Sequence, residues 1–317
     1  MTSAAARTDA HHPLRGFLYL ILATIFWAGS AVVAKFLFNF EGDKFDTVIL
    51  SQMRTTLSFA MMTVWFGATR REVFHVRLND LPLLALIGCV GIGVTNFSYY
   101  YTVRASTVAT AILIQYTAPA FVTVYGYFIA RNERVEGLKL ISLAVALAGC
   151  YVAVTGFHPG VVQLSAVTIF SGMCSSLGFA FLLIVSKKIL VRYSNWTMLI
   201  YAFGFTALGW LFFSTPADIV ARGYQWQDWE TLIFFALISV LVPYALFSLG
   251  LKELSPTPVA ITMTLEPIVA IVFAAIFLGE RLSMIQSLGA VGVVLAVLML
   301  QVDPRRRSRT REVGNAD

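Results

Sequence analysis

Residues 254–282, LSPTPVAITMTLEPIVAIVFAAIFLGERL, limit what this chain can fold into more than any other stretch. About twenty mostly apolar residues in succession are enough for one helix to cross a hydrocarbon core of about 30 Å. Glu266 stands in the middle of the run, and Pro267 follows it. A carboxylate at that depth is costly and has to face a cavity or a partner. Pro267 removes a backbone donor and crowds the carbonyl of Met263. Lipid cannot satisfy that carbonyl, so protein or trapped water must. The run stops at Gly279, Glu280 and Arg281.

Residues 105–135, ASTVATAILIQYTAPAFVTVYGYFIARNERV, repeat the design. A small entry residue (Ser106; Ser255) precedes a mid-span proline (Pro119; Pro267), and a Glu-Arg pair closes each copy (Glu133-Arg134; Glu280-Arg281). The prolines lie 148 residues apart, close to half of the 317-residue chain. Interrupted spans at matching positions of two halves point to a transporter's binding site.

The succession Leu254-Ser255-Pro256-Thr257, Leu265-Glu266-Pro267-Ile268, Leu278-Gly279-Glu280-Arg281-Leu282 and Leu288-Gly289 resembles the second repeat of EamA-type permeases, in the drug/metabolite transporter superfamily. The resemblance is strong over residues 248–302 and looser over 100–154. Phe26-Trp27-Ala28-Gly29 and the mid-span Arg54 are also similar to the family. The resemblance implies ten helices, two inverted five-helix repeats and export of small metabolites.

Composition agrees with a bilayer as solvent. The chain is 58% hydrophobic and only 13% charged, outside the soluble globular range. Its net charge of +6 is not a nucleic-acid footprint, because the basic residues fall in short loops and the tail. Cys89, Cys150 and Cys174 lie inside apolar spans, are odd in number and fit no metal spacing, so they read as packing residues.

The sequence predicts an all-α integral membrane protein with spans near 14–38, 45–67, 81–101, 107–130, 137–155, 166–186, 196–214, 231–250, 256–278 and 283–301. A polar tail (1–13, with His11 and His12) precedes a first repeat (14–155). A second repeat (164–302) precedes a basic tail (303–317) that suits anionic lipid. The first span is retained rather than cleaved as a signal, since apolar sequence continues past Ala28-Gly29-Ser30-Ala31. With the N-terminus in the cytoplasm, 17 basic residues fall inside and five outside, Arg54 uncounted. Both termini are then cytoplasmic, and five spans per repeat make the halves inverted. The expected location is the bacterial inner membrane.

Enzymatic function has little support. No P-loop, dinucleotide fingerprint or intramembrane HExxH is present, and His11, His12, His75 and His158 all lie in loops or tails. No cofactor or metal is expected.

The mid-membrane polar residues are few, and each has a plain packing role to set beside a functional one. Gln115 lies four residues before Pro119 and either contacts substrate or bonds between helices; Tyr116 follows it. Arg54 cannot shed its charge. It either binds a substrate carboxylate or forms a structural or gating pair with Glu266, the second being the preferred expectation. Glu266 receives a substrate amine, carries a proton, or satisfies backbone loosened by Pro267. Tyr100 and Tyr101 suit the interfacial belt, whereas Asn96 and Tyr99 suit a cavity wall. Trp27 is too central for a belt, and its indole needs an acceptor. Ser30 joins it as a candidate, and Pro243-Tyr244 makes a further proline break. Gly88, Gly91, Gly93, Gly289 and Gly292 permit close helix approach.

These residues predict a secondary transporter exporting a small polar metabolite, an amino acid or derivative, by alternating access. Proton coupling is one energy source, and the substrate's own gradient is another. The substrate-binding candidates are Trp27, Ser30, Asn96, Tyr99, Gln115, Tyr116, Tyr244 and Glu266; the structural or gating candidates are Arg54, Pro119, Pro243 and Pro267. The alternatives are a permease for a purine, sugar or cationic drug, or a membrane sensor or scaffold without transport.

Overall fold

The computed structural model describes residues 13–40, 45, 47–106, 108–131, 137–158, 160–162, 164–278 and 283–301. The two tails and the closing pairs Glu133-Arg134 and Glu280-Arg281 lie outside them. The described residues form helices and connections, with no strand among them.

Helix α1 covers Pro13–Phe40 and α2 Thr47–Thr69. Helix α3 starts at Leu81–Leu86, widens into a π-type turn at Ile87–Val94, and continues as Thr95–Ala105. Helix α4 is split into Val108–Gln115 and Ala118–Val124, with a last wide turn at Tyr125–Ile129. Then come α5 (Gly137–Thr155), α6 (Ala166–Leu190) and α7 (Asn195–Trp210). A short helix, Pro216–Ala221, leads to α8, which runs through Trp226–Ala236, a π-type turn at Leu237–Leu241, and Val242–Glu253. Helix α9 is split into Pro256–Met263 and Leu265–Leu278, and α10 is Met284–Gln301.

Seven of these helices (α1, α3, α4, α5, α6, α8 and α9) are long and apolar enough to cross a membrane. Helix α10 is apolar but shorter. Helix α7 has 16 residues. Helix α2 is diluted by Ser51, Gln52, Arg54, Thr55, Thr56 and Ser58. The chain is a multi-pass membrane protein. Several boundaries differ from expectation; α3 runs on to Ala105 and α6 to Leu190, each four residues late. Helix α7 ends at Trp210, four residues early. Helix α8 begins at Trp226 rather than 231, because the Asp228 carboxylate accepts the Gln225 N–H at 2.8 Å and starts the helix sooner.

The packing has an internal symmetry. The principal contacts are α1 with α8 and α3 with α6; α2 with α8 and α3 with α7; α4 with α6 and α1 with α9; and α2–α7, α4–α9 and α5–α10. Exchanging each helix of the first five for its counterpart five places on returns the same map. Hydrogen bonds fix the register at 148 residues. Ser58 donates to the Ala236 carbonyl (3.4 Å), and Thr206, 148 residues later, donates to the Gly88 carbonyl (2.8 Å), 148 residues before Ala236. Asn96 and Tyr244 occupy equivalent positions and touch each other across the middle.

Helices α5 and α10 approach each other at the backbone. A Cβ on Gly289 would lie 2.3 Å from the Ala153 nitrogen and 2.8 Å from the Gly149 carbonyl oxygen. The cysteines are free: Cys150 is buried and Cys174 partly so, as packing residues are, whereas Cys89 is exposed.

Candidate functional site

Two broken helices set the centre of the bundle. In α4 the Tyr116 and Thr117 amides reach back to Ile112 and Ile114 (2.9 and 3.1 Å), and Pro119 offers no amide to continue the ladder. In α9 the Thr264 amide closes on Ile261 at 3.1 Å, just before Glu266 and Pro267. The second half of α4 packs on the first half of α9, so the breaks face each other. The Tyr116 hydroxyl donates to Glu266 Oε2 at 2.6 Å and joins them. Interrupted α4 and α9 were legible in the sequence; this bond between them was not.

Arg54 enters from α2. The residue is 7% exposed. Nη2 donates to Asn96 Oδ1 at 2.8 Å, and the guanidinium carbon lies 5.3 Å from the Tyr100 ring centre. Its Nε is buried, with no hydrogen-bond partner among the described residues. The expected pair between Arg54 and Glu266 is not formed. Helix α2 packs against α7, α8 and the later part of α3, so Asn96 is the acceptor in reach, while Glu266 turns toward α4. Tyr100, expected in the interfacial belt, instead lies under this cation.

Asn96 links the two halves. Its amide donates to the Ile92 carbonyl (2.7 Å) and to the Tyr244 hydroxyl (3.4 Å). Tyr244 packs edge-on against Trp27 with ring centres 5.2 Å apart. Pro243 has no amide to give the Ser239 carbonyl four residues earlier. The Trp27 indole donates to that carbonyl at 3.2 Å. A neighbouring helix, not a cavity, therefore supplies Trp27 with its acceptor. Tyr99 packs edge-on against Tyr100 (5.5 Å).

Two candidates are used differently. Ser30 is buried and donates to the Trp27 carbonyl of its own helix at 2.8 Å, so its hydroxyl is not directed at this network. Gln115 Oε1 accepts from Ser175 on α6 at 2.8 Å, an interhelical bond. Thr117 and Ser176 make a similar contact at 2.9 Å. Trp27, Asn96, Tyr99, Tyr100, Gln115 and Glu266 are each only partly buried, although they lie among packed helices.

Sequence reasoning missed a polar cluster at one end of the bundle. Buried Asp80 accepts from Arg192 Nη1 (3.0 Å) and from the Tyr193 hydroxyl (2.6 Å), tying the start of α3 to the α6–α7 connection. The signal that could have found it is the repeat interval, since Asp80 and Asp228 lie 148 residues apart, each opening its helix. A cleft of about 630 Å³ lies beside Asp80, lined also by Phe74, His75, Arg77, Arg192 and Tyr193. A second, of about 460 Å³, lies between the start of α2 and the end of α7, with Val48, Ser214 and Arg222. Both open at the ends of the bundle, away from Arg54 and Glu266. Among the described residues no group of His, Cys, Asp and Glu could hold a metal ion.

The profile of the EamA-like transporters matches residues 14–155 and again 166–302. The chain belongs to the EamA-like transporter family. Among the relatives is an uncharacterized inner membrane transporter of Salmonella typhimurium, YicL, 21% identical, the match covering 93% of this chain and 98% of that protein. The threonine/homoserine exporter RhtA of Escherichia coli K12 is 24% identical over 93% of this chain and 94% of its own. A solved crystal structure shares the fold, with a TM-score of 0.72 at 15% identity, covering 92% of this chain and 98% of the other.

Proposed function

We propose that this EamA-like transporter is a secondary exporter that moves a small polar metabolite, an amino acid or derivative, out of the cell by alternating access. The observation that carries this reading is the joint between the broken helices. Tyr116 at the α4 break holds Glu266 at the α9 break, among polar side chains that are only partly buried. Irregular backbone at membrane depth is tolerated only where it is buried in protein or lines a space for water or cargo. The likeness to a threonine/homoserine exporter favours amino acids as the cargo class.

The proposed architecture has ten spans in two inverted repeats of five, residues 14–155 and 164–302, with both termini in the cytoplasm of an inner-membrane protein. The double match of the family and the self-exchanging helix contacts support it. Rocking of one half on the other would open the interior to each side in turn. A proton gradient or the cargo's own gradient would supply the energy. A scaffold without transport would favour a dry Arg54–Glu266 pair, and those side chains have other partners.

Flux tests the proposal. Full-length protein in proteoliposomes should exchange at least one radiolabelled amino acid by counterflow. No movement of any amino acid, sugar, purine or cationic drug in either direction would overturn the transport reading. Movement of only a sugar, purine or drug would overturn the cargo class.

A further inference from the structure

We infer that the interior site takes a zwitterion, with the cargo's carboxylate on Arg54 and its ammonium on Glu266. The inference rests on the transport reading above and adds a recognition chemistry to it.

Arg54 is a permanent cation with nine-tenths of its surface buried, and no carboxylate pairs with it among the described residues. Its contacts are a neutral amide oxygen and an aromatic face. Its Nε is buried and has no hydrogen-bond partner among the described residues. A buried charge without a counter-ion is a strained arrangement, and a guanidinium with an unused N–H suits a carboxylate. Glu266 is the complementary case. Its hydrogen-bond partner among the described residues is the Tyr116 hydroxyl, and no cation pairs with it there.

The two charges belong to one interior. Tyr244 is hydrogen-bonded to the Asn96 that holds Arg54 and packs on Trp27 of α1, a helix that lies against both α8 and α9, the helix of Glu266. Tyr100, which lies under the Arg54 guanidinium, packs edge-on against its neighbour Tyr99 on α3. Opposite charges set in one helix bundle that do not pair with each other match a ligand bearing both. The arrangement also orients the cargo. The position 148 residues after Arg54 is Ala202 and the position 148 residues before Glu266 is Ala118, so the symmetric scaffold carries each charge once.

The test uses three matched probes: L-threonine, 1-amino-2-propanol, which lacks its carboxylate, and 3-hydroxybutyrate, which lacks its amine. Binding to purified full-length protein is read by thermal shift, and flux by counterflow. Wild-type protein should prefer threonine over each analogue by tenfold or more. Arg54→Gln should erase the preference over the amine and leave the preference over the acid. Glu266→Gln should do the reverse. Asn96→Asp keeps Arg54 and gives it an internal carboxylate, with Tyr244 able to donate to the new oxygen. It should weaken threonine binding about tenfold even if Arg54→Gln fails to fold.

Equal binding of all three probes by the wild type, or preference ratios that none of the variants changes, would overturn the inference. Counterflow of a cargo without a carboxylate, unaffected by Arg54→Gln, would sink it while leaving transport intact. Threonine binding that depends on both charges, with no flux of any cargo, would support the site and sink the transport reading instead.

Discussion

The Tyr116 hydroxyl and the Glu266 carboxylate show how much one contact can decide inside a membrane bundle. At 2.6 Å the bond is a short one to an acid. Tyr116→Phe keeps the ring and removes the donor, leaving the carboxylate less satisfied in a medium of low dielectric. The expected loss of stability is about 1–3 kcal/mol, read as a lower unfolding temperature in detergent. An unchanged temperature would mean that the bond contributes nothing. Asp80 offers a second comparison. Arg192 is 65% exposed, so its ion pair with Asp80 should add at most about 1 kcal/mol. The Tyr193 hydroxyl on the same carboxylate is better shielded, at 2.6 Å. Asp80→Ala should therefore destabilise the protein by about 1–3 kcal/mol, clearly more than Arg192→Ala. Equal losses in the two variants would show that the exposed ion pair carries the contact.

Among the helices, α5 and α10 depend on a backbone contact that larger side chains would prevent. A Cβ on Gly289 meets backbone of α5 at 2.3–2.9 Å, whereas one on Gly292 first meets an atom at 3.7 Å. Gly289→Ala should force the helices apart and cost about 1–3 kcal/mol. Gly292→Ala should be nearly neutral. Thermal unfolding of both variants side by side checks the contrast, and equal behaviour would refute it. The sequence already marked these glycines as sites of close approach, but not which one touches. The difference reflects the limits of local signals. Proline acts on its own helix, so the breaks at Pro119, Pro243 and Pro267 could be read from the chain. Arg54 finds its acceptor 42 residues away on another helix, and only packing reveals that Asn96 rather than Glu266 is within reach. Tyr100 looked like a belt residue for the same reason, since position along a helix gives depth but not the direction of the side chain. The start of α8 was misplaced because a polar capping stretch, Gln225 to Asp228, lowers hydropathy just where the helix begins.

At the scale of the whole molecule, the scaffold is nearly symmetric and its charges are not. Ser58 and Thr206 make the same bond in the two halves, and Asn96 meets its own counterpart, Tyr244. A twofold relation between halves of five spans requires the axis to lie in the membrane plane, because an odd number of crossings reverses direction. In the proposed inverted architecture the two end clefts belong to opposite faces, which would put the Asp80 cleft at the cytoplasm and the Arg222 cleft outside. Single cysteines at Arg77 and Arg222, introduced into protein lacking Cys89, Cys150 and Cys174, test this with a membrane-impermeant maleimide. In intact cells Arg222→Cys should label and Arg77→Cys should not, and inside-out vesicles should reverse the result. If both label from one face, the inverted arrangement fails, and rocking of two opposed halves fails with it. The assay reads topology alone, so it judges the architecture whether or not Arg54 and Glu266 hold a zwitterion.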